Sequence, residues 1–220
     1  MTAPIRVLLV EDQVLVRAGI RMVIDSQPDL TVVGEAGDGL SGVHEARRLR
    51  PDVVVVDVRM PVLDGIEATR RITALPEPPK VVVLTTFDLD EHALAALRAG
   101  ASGFLLKDAP PEDMLAAVRT IHRGDAVLAA STTRRLLDQL APPLSEHAAT
   151  LVETLTGREL EVLTAMAAGL SNGEIAARFT VAETTVKTHV GNVLAKLGAR
   201  DRVQAVIVAY ESGFVRPGQS

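Results

Sequence analysis

The sequence predicts an α/β domain on a five-stranded parallel sheet, followed by a smaller all-α domain. Three observations carry this. Between Ile5 and Leu106, short apolar runs rich in Val and Ile alternate with stretches of helical period, the pattern of βα units whose crossovers cover both faces of a parallel sheet. The strand-like pattern stops near residue 123. From Thr156 onward, successive segments carry helix start and stop signals and no strand pattern.

Taken in order, strands are expected at 5–10, 30–33, 53–57 and 80–85, with a weaker fifth at 102–106. Helices are expected near 13–26, 40–50, 65–75, 89–99 and 111–122. Five such units fit a flavodoxin-like sheet, in which ligands bind beyond the carboxyl ends of the strands, where the order switches between strands 1 and 3. Three domains are expected: 1–123, a partly helical linker at 124–151, and 152–220. Within the linker, Ser131 to Leu137 resembles a short capped helix, and Ala141-Pro142-Pro143 ends it.

In the last domain, Thr156-Gly157-Arg158-Glu159 has capping-box spacing ahead of an apolar-periodic stretch that ends near Gly169. Ser171 and Glu174 form a second box opening a helix through Phe179. A turn at Thr180-Val181-Ala182 leads to a helix over 183–197 closed by Gly198, and a last helix spans about 202–212. Two helices joined by a tight turn suggest helix-turn-helix.

Composition narrows the function. The 220 residues are 47% hydrophobic and 23% charged, so a real core is available and the chain is not disordered. With no cysteine, disulfide frameworks, thiolate metal sites and cysteine nucleophiles are excluded. Aromatic residues make up 2%, too few for stacking bases on aromatic platforms. Met1-Thr2-Ala3-Pro4 leads into a strand without a signal-peptide pattern, and no apolar run reaches membrane-spanning length, so a soluble cytoplasmic protein without a membrane partner is expected. The net charge of −5 divides as −4 over residues 1–123, −2 over 124–155 and +1 over 156–220, too mild an asymmetry to indicate nucleic acid by itself.

The chemistry concentrates at strand ends. Asp57 closes Val53-Val54-Val55-Val56, and Glu11-Asp12 closes Ile5–Val10. Side by side, these place three carboxylates at one edge, an arrangement that is costly unless a cation or a covalent change relieves it. An aspartate that accepts a phosphoryl group needs a hard divalent cation and a cationic or hydroxyl partner nearby. Glu11, Asp12 and Asp57 can hold Mg²⁺, Thr85 ends the fourth strand, and Lys107 follows the fifth. On the helix over 183–197, Val186, Val190, Val193, Leu194 and Leu197 form one stripe. Thr184, Thr188, Gly191, Asn192 and Ala195 face the other way, with Lys187 and Lys196 at the margins and Thr185 toward the Lys196 side. Small and hydrogen-bonding residues between lysines suit a helix laid in a major groove.

Glu11-Asp12, Asp57-Val58-Arg59-Met60-Pro61-Val62-Leu63-Asp64-Gly65, Thr85 and Lys107 resemble the receiver domains of two-component response regulators. The motifs around Thr156, Gly169 to Ala176, Thr185 to Val190 and Asn192 to Leu197 resemble the LuxR-type helix-turn-helix, so the whole chain is similar to NarL/FixJ-type response regulators. That resemblance implies phosphotransfer from a sensor histidine kinase to Asp57, with Mg²⁺ held by Asp12, Asp57 and the Arg59 carbonyl, and by Glu11 mainly through water. Thr85 and Phe104 would be a switch pair, and Lys107 would meet the phosphoryl group. Lys187 and Thr188 would contact the major groove of promoter DNA, beside Thr184 and Thr185, with Asn192 and Lys196 near the backbone. A homodimer on activation is implied, paired in part through the last helix, whose stripe Val203, Val206, Ile207, Tyr210 fits packing within its own helical domain equally well; RNA polymerase is a further candidate partner. No enzyme activity is expected beyond self-phosphotransfer and slow loss of the phosphoryl group. Asp108 departs from the proline that many receivers carry after the lysine.

Three other readings compete. Gly37-Asp38-Gly39-Leu40-Ser41-Gly42 matches the G-x-G-x-x-G dinucleotide pattern. It sits in the second βα turn, however, and leaves Glu11, Asp12, Thr85 and Lys107 unexplained. A phosphohydrolase with an aspartate nucleophile would want a second acid at position 59, which is Arg. The third is a DNA-binding regulator whose receiver answers to a ligand or partner instead of phosphorylation.

Overall fold

A computed structural model describes residues 3–85, 89–123 and 144–216, without the side chains of 89–91. The chain divides into two compact units, Met1–Val127 and Leu128–Ser220.

The first unit alternates β1 (Ile5–Val10), α1 (Val14–Asp25), β2 (Leu30–Ala36), α2 (Gly39–Leu49), β3 (Val53–Asp57), α3 (Gly65–Thr73), β4 (Lys80–Thr85), α4 (Leu89–Arg98), β5 (Gly103–Leu106) and α5 (Pro111–His122). The strands form one five-stranded sheet in the order β2-β1-β3-β4-β5, parallel throughout. β-branched residues are stiff and pack well on a pleated surface, and Val53 to Val56 at the sheet's centre are all but fully buried. Successive side chains point to opposite faces. Val7, Leu9, Val53, Val55 and Val82 thus share a core with Ile24 of α1 and Leu115, Val118 and Ile121 of α5. The helices α2, α3 and α4 contribute buried Ala46, Ile72 and Leu97.

β2 runs three residues past its expected end, through Gly34-Glu35-Ala36. The polar pair hid this, but backbone pairing does not need an apolar side chain, and Leu8, Leu9 and Val10 pair with these residues after a register shift. A Cβ on Gly34 would lie 2.3 Å from the Leu49 side chain, which would have to turn aside. The glycine-rich turn after β2 is equally structural. Asp38 caps α2 by accepting from the Ser41 backbone N–H at 2.9 Å, and a Cβ on Gly42 would meet Val10 at 2.7 Å.

The second unit contains α6 (Glu146–Glu153), α7 (Gly157–Ala167), α8 (Asn172–Phe179), α9 (Glu183–Leu197) and α10 (Arg202–Glu211). Both expected capping boxes are present, Thr156 with Glu159 and Ser171 with Glu174. Thr180 closes α8 in the left-handed region at φ 54°, and Gly198 closes α9 at φ 61°. The expected helix at 131–137 and the proline pair at 142–143 lie outside the described residues. The end of the stretch assigned to the linker forms α6, which packs on α10 and α9 and is joined to α10 by the Ser145 N–H donating to the Glu211 carbonyl at 2.7 Å.

The stripe Val203, Val206, Ile207 and Tyr210 is 2–6% exposed within this unit. Of the two roles open to the stripe, it therefore takes packing within its own helical domain. Tyr210 is the only tyrosine and the chain has no tryptophan, so tyrosine fluorescence reports on the helical unit alone. Replacing Thr156 by Ala removes a cap acceptor and is expected to cost that unit about 1 kcal/mol, measured as a lower urea midpoint of the Tyr210 signal.

Candidate functional site

The acidic residues meet where the topology places them. β1 and β3 pair directly, Val10 beside Val56, so Glu11-Asp12 and Asp57 emerge together. Their carboxylate oxygens lie within 4.8 Å of one another. Glu11 and Asp57 are buried, at 1% and 3% exposure. Lys107 arrives from the far side of the sheet, where its N–H donates to the Thr85 carbonyl at 2.9 Å and continues the β4–β5 ladder. Its ammonium lies 2.8 Å from Asp57 Oδ2 and 2.8 Å from Glu11 Oε2.

One ammonium cannot neutralise three carboxylates. Burial, with the Asp57 charge adding to it, raises the pKa of Glu11 even though Lys107 and the Gln13 N–H pull it down. Burial works against the charge of Lys107, but hydrogen bonds to Asp57 and Glu11 outweigh it and hold the lysine above its ordinary value. Asp12 Oδ1 is buried and has no hydrogen-bond partner. A buried, unsatisfied carboxylate oxygen is costly, and it belongs to a residue whose carboxylate clusters with those of Glu11 and Asp57. That donor set fits Mg²⁺, which takes oxygen ligands in small number alongside waters.

Of the other expected residues, Thr85 is buried at the end of β4, and Phe104 is buried in β5 beside Val83. Arg59 lies exposed two residues past Asp57. Its loop is tightly drawn. The Leu63 N–H donates to the Pro61 carbonyl at 2.7 Å around Val62 at φ 67°, a strained conformation for a β-branched residue.

Two residues that hold this site have no role assigned by the sequence. Gly65 enters there only as the last residue of the receiver-like motif. Its N–H donates to the Val58 carbonyl at 2.8 Å, and a Cβ would sit 1.9 Å from the Asp57 carbonyl oxygen. Arg17 donates to the Glu11 carbonyl and pairs with Glu35 at 3.1 Å, fixing the acidic turn to α1 and β2. No sequence signal separates it from the other arginines.

On α9, Val186, Val193 and Leu197 are buried, with Val190 and Leu194 partly so. Thr184, Thr185, Lys187, Thr188 and Asn192 are exposed. Thr188 donates back to the Thr184 carbonyl at 3.1 Å, while Lys187 pairs with Glu183 at 3.1 Å. A Cβ on Gly191 would meet nothing within 4 Å. Lys196 is exposed as well, and its ammonium lies on Glu159 Oε2 at 2.7 Å.

Comparison with known proteins agrees with this division. Residues 7–119 match the response regulator receiver domain, and 153–209 match the luxR family of bacterial regulatory proteins. An uncharacterized transcriptional regulatory protein of Bacillus subtilis, YxjL, is 46% identical over 96% of this chain and 98% of its own. LiaR, a transcriptional regulatory protein of the same organism, is 39% identical over 96% and 99%. A crystal structure of ChrA, the response regulator of a heme-sensing two-component system, matches with TM-score 0.53 and 39% identity over 97% of this chain and 100% of that one. Among the described residues no helix is long and apolar enough to cross a membrane.

Because Gly65 has Asp57 backbone where a side chain would go, Gly65→Ala has to displace the loop that carries the acid. The expected cost is about 1–3 kcal/mol of receiver stability, measured by thermal unfolding under circular dichroism.

Proposed function

This chain belongs to the response regulators that join a receiver domain to a LuxR-type DNA-binding domain, and from that premise we propose that phosphorylation of Asp57 controls its binding to promoter DNA. The observation that carries the reading is the Lys107 ammonium bridging Asp57 and Glu11 at 2.8 Å, with the unpartnered Asp12 Oδ1 beside them.

The donor is a phosphohistidine of a sensor kinase. An Asp57 carboxylate oxygen attacks phosphorus, the P–N bond breaks, and the imidazole leaves with the bonding pair and takes up a proton. Glu11, Asp12, Asp57 and the Arg59 carbonyl would hold Mg²⁺, which when bound neutralises phosphoryl oxygens. Lys107 already touches the accepting carboxylate and meets the new charge, about −1.5 to −2, without a long excursion. The Thr85 hydroxyl turns toward the phosphoryl group, and Phe104, buried in the present state, repacks into the space left beside β4. This rearrangement favours a homodimer.

Dimerisation matters because residues 156–220 carry a net charge of only +1. Affinity for DNA rests largely on phosphate neutralisation, so one such module binds weakly, and joining two raises the effective concentration of the second. In each module Lys187 and Thr188 enter the major groove beside Thr184 and Thr185, with Asn192 toward the backbone.

With a small phosphodonor and Mg²⁺, the unaltered chain should take up one phosphoryl group, seen as a mass increase. Asp57→Ala or chelation of the metal should abolish uptake, and full labelling of the Asp57→Ala chain would refute the site. On the DNA side, Lys187→Ala or Thr188→Ala should weaken specific promoter binding by about 1–3 kcal/mol, measured by fluorescence anisotropy. Unchanged affinity in both variants would remove α9 from the groove.

A further inference from the structure

The two lysines of α9 are differently held. Lys187 pairs with Glu183 on an open surface, with side chains 61% and 53% exposed, a pair that exchanges for water or phosphate at little cost. Lys196 pairs with Glu159, whose side chain is 7% exposed. The same Glu159 oxygen accepts the Thr156 N–H at 2.8 Å, closing the capping box that starts α7. The Lys196 ammonium also reaches the Thr154 carbonyl at 3.4 Å. Moving it to a DNA phosphate strips a buried carboxylate of its charge partner, which is costly.

Nine residues at about 100° each place Lys196 at the margin of the outward face opposite Lys187, and from that margin its ammonium reaches Glu159 in the first turn of α7. We propose that Lys196 is a positioning residue, tying the end of α9 to the start of α7 and fixing the rotation at which α9 presents Thr184, Lys187 and Thr188, and that it makes no phosphate contact. The proposal rests on the DNA-binding reading above.

Supporting this, the Lys196 hydrogen bond and the Thr156 N–H hold the Glu159 carboxyl down at about 2, from an ordinary 4.5. A lowered carboxylate pKa gives stability that is present above 4.5 and lost as pH falls through about 2, so the tie is intact at neutral pH.

The test uses the full chain with Lys196→Met, Glu159→Gln and the double variant. Binding is titrated with random-sequence duplex DNA across a range of potassium chloride, and unfolding is followed through Tyr210 fluorescence. A positioning role predicts several-fold weaker binding for both single variants and a salt dependence unchanged from the parent. It also predicts that the double variant is destabilised by less than the sum of the two, and that the acid loss of stability is flattened in Glu159→Gln. A direct contact predicts instead that Lys196→Met lowers the salt slope by about 0.9 and that Glu159→Gln, by freeing the lysine, binds DNA as tightly as the parent or better. Either of those results, or strictly additive unfolding effects, overturns the proposal. If the parent binds no duplex at any salt, the DNA reading falls and the positioning role with it, while the unfolding cycle still measures the tie.

Discussion

The receiver unit is organised around a charge imbalance. A sheet whose central strand is four consecutive valines drives its own end into the interior, and the residue at that end is Asp57. Glu11 is carried there by β1 and is more deeply buried still. A buried carboxylate pair is tolerable only with a partner, and Lys107 supplies it from the opposite side of the site. The fifth strand is short and weakly marked, yet it delivers the cation that lets two strands bury acids. Arg17 and Gly65 serve the same end. The first ties the Glu11 backbone to α1, and the second lets the loop after Asp57 fold back against its carbonyl.

This explains which features could be read in the sequence. Val53 to Val56 and Val81 to Val83 announce buried parallel strands because nearly every position is apolar, and a strand covered on both faces needs that. Once the strand order follows from alternation, Glu11, Asp12, Asp57, Thr85 and Lys107 fall at one edge without further information. The end of β2 was hidden because an edge strand needs backbone pairing more than apolar side chains, as Gly34-Glu35 illustrates. The role of Gly65 was not legible, since its close approach to Asp57 depends on how the loop between them folds back. The dinucleotide-like glycines are the reverse case, a phosphate-binding pattern in which Gly42 serves close packing of α2 on Val10.

The helical unit shows the same limit at its last helix. The stripe from Val203 to Tyr210 was visible, but periodicity cannot say whether a stripe faces its own domain or a second copy. α10 is apolar around most of its circumference, with Ala205 and Ala209 also buried, and such a helix is a core helix. Lys196 lies exposed, as its spacing at the margin of the outward face requires, but spacing could not show its partner Glu159, 37 positions earlier.

The pairing of Lys107 before any modification limits how the proposed switch can work. A modification shifts an equilibrium only by its differential interaction with the two states. Lys107 already has Asp57 and Glu11, so phosphorylation adds about one unit of negative charge to an existing pair instead of creating one. At about 4 Å and an effective dielectric of about 20, that increment amounts to about 4 kcal/mol before desolvation is subtracted. Carrying a population from 1:99 to 99:1 takes about 5.5 kcal/mol. The lysine alone therefore falls short, and a charge-assisted hydrogen bond from Thr85, worth about 1.5–3 kcal/mol, is of the size that makes up the difference. On this reasoning the hydroxyl decides how complete the proposed switch is, and Phe104, its proposed partner, is buried on the neighbouring strand beside Val83, two residues short of Thr85.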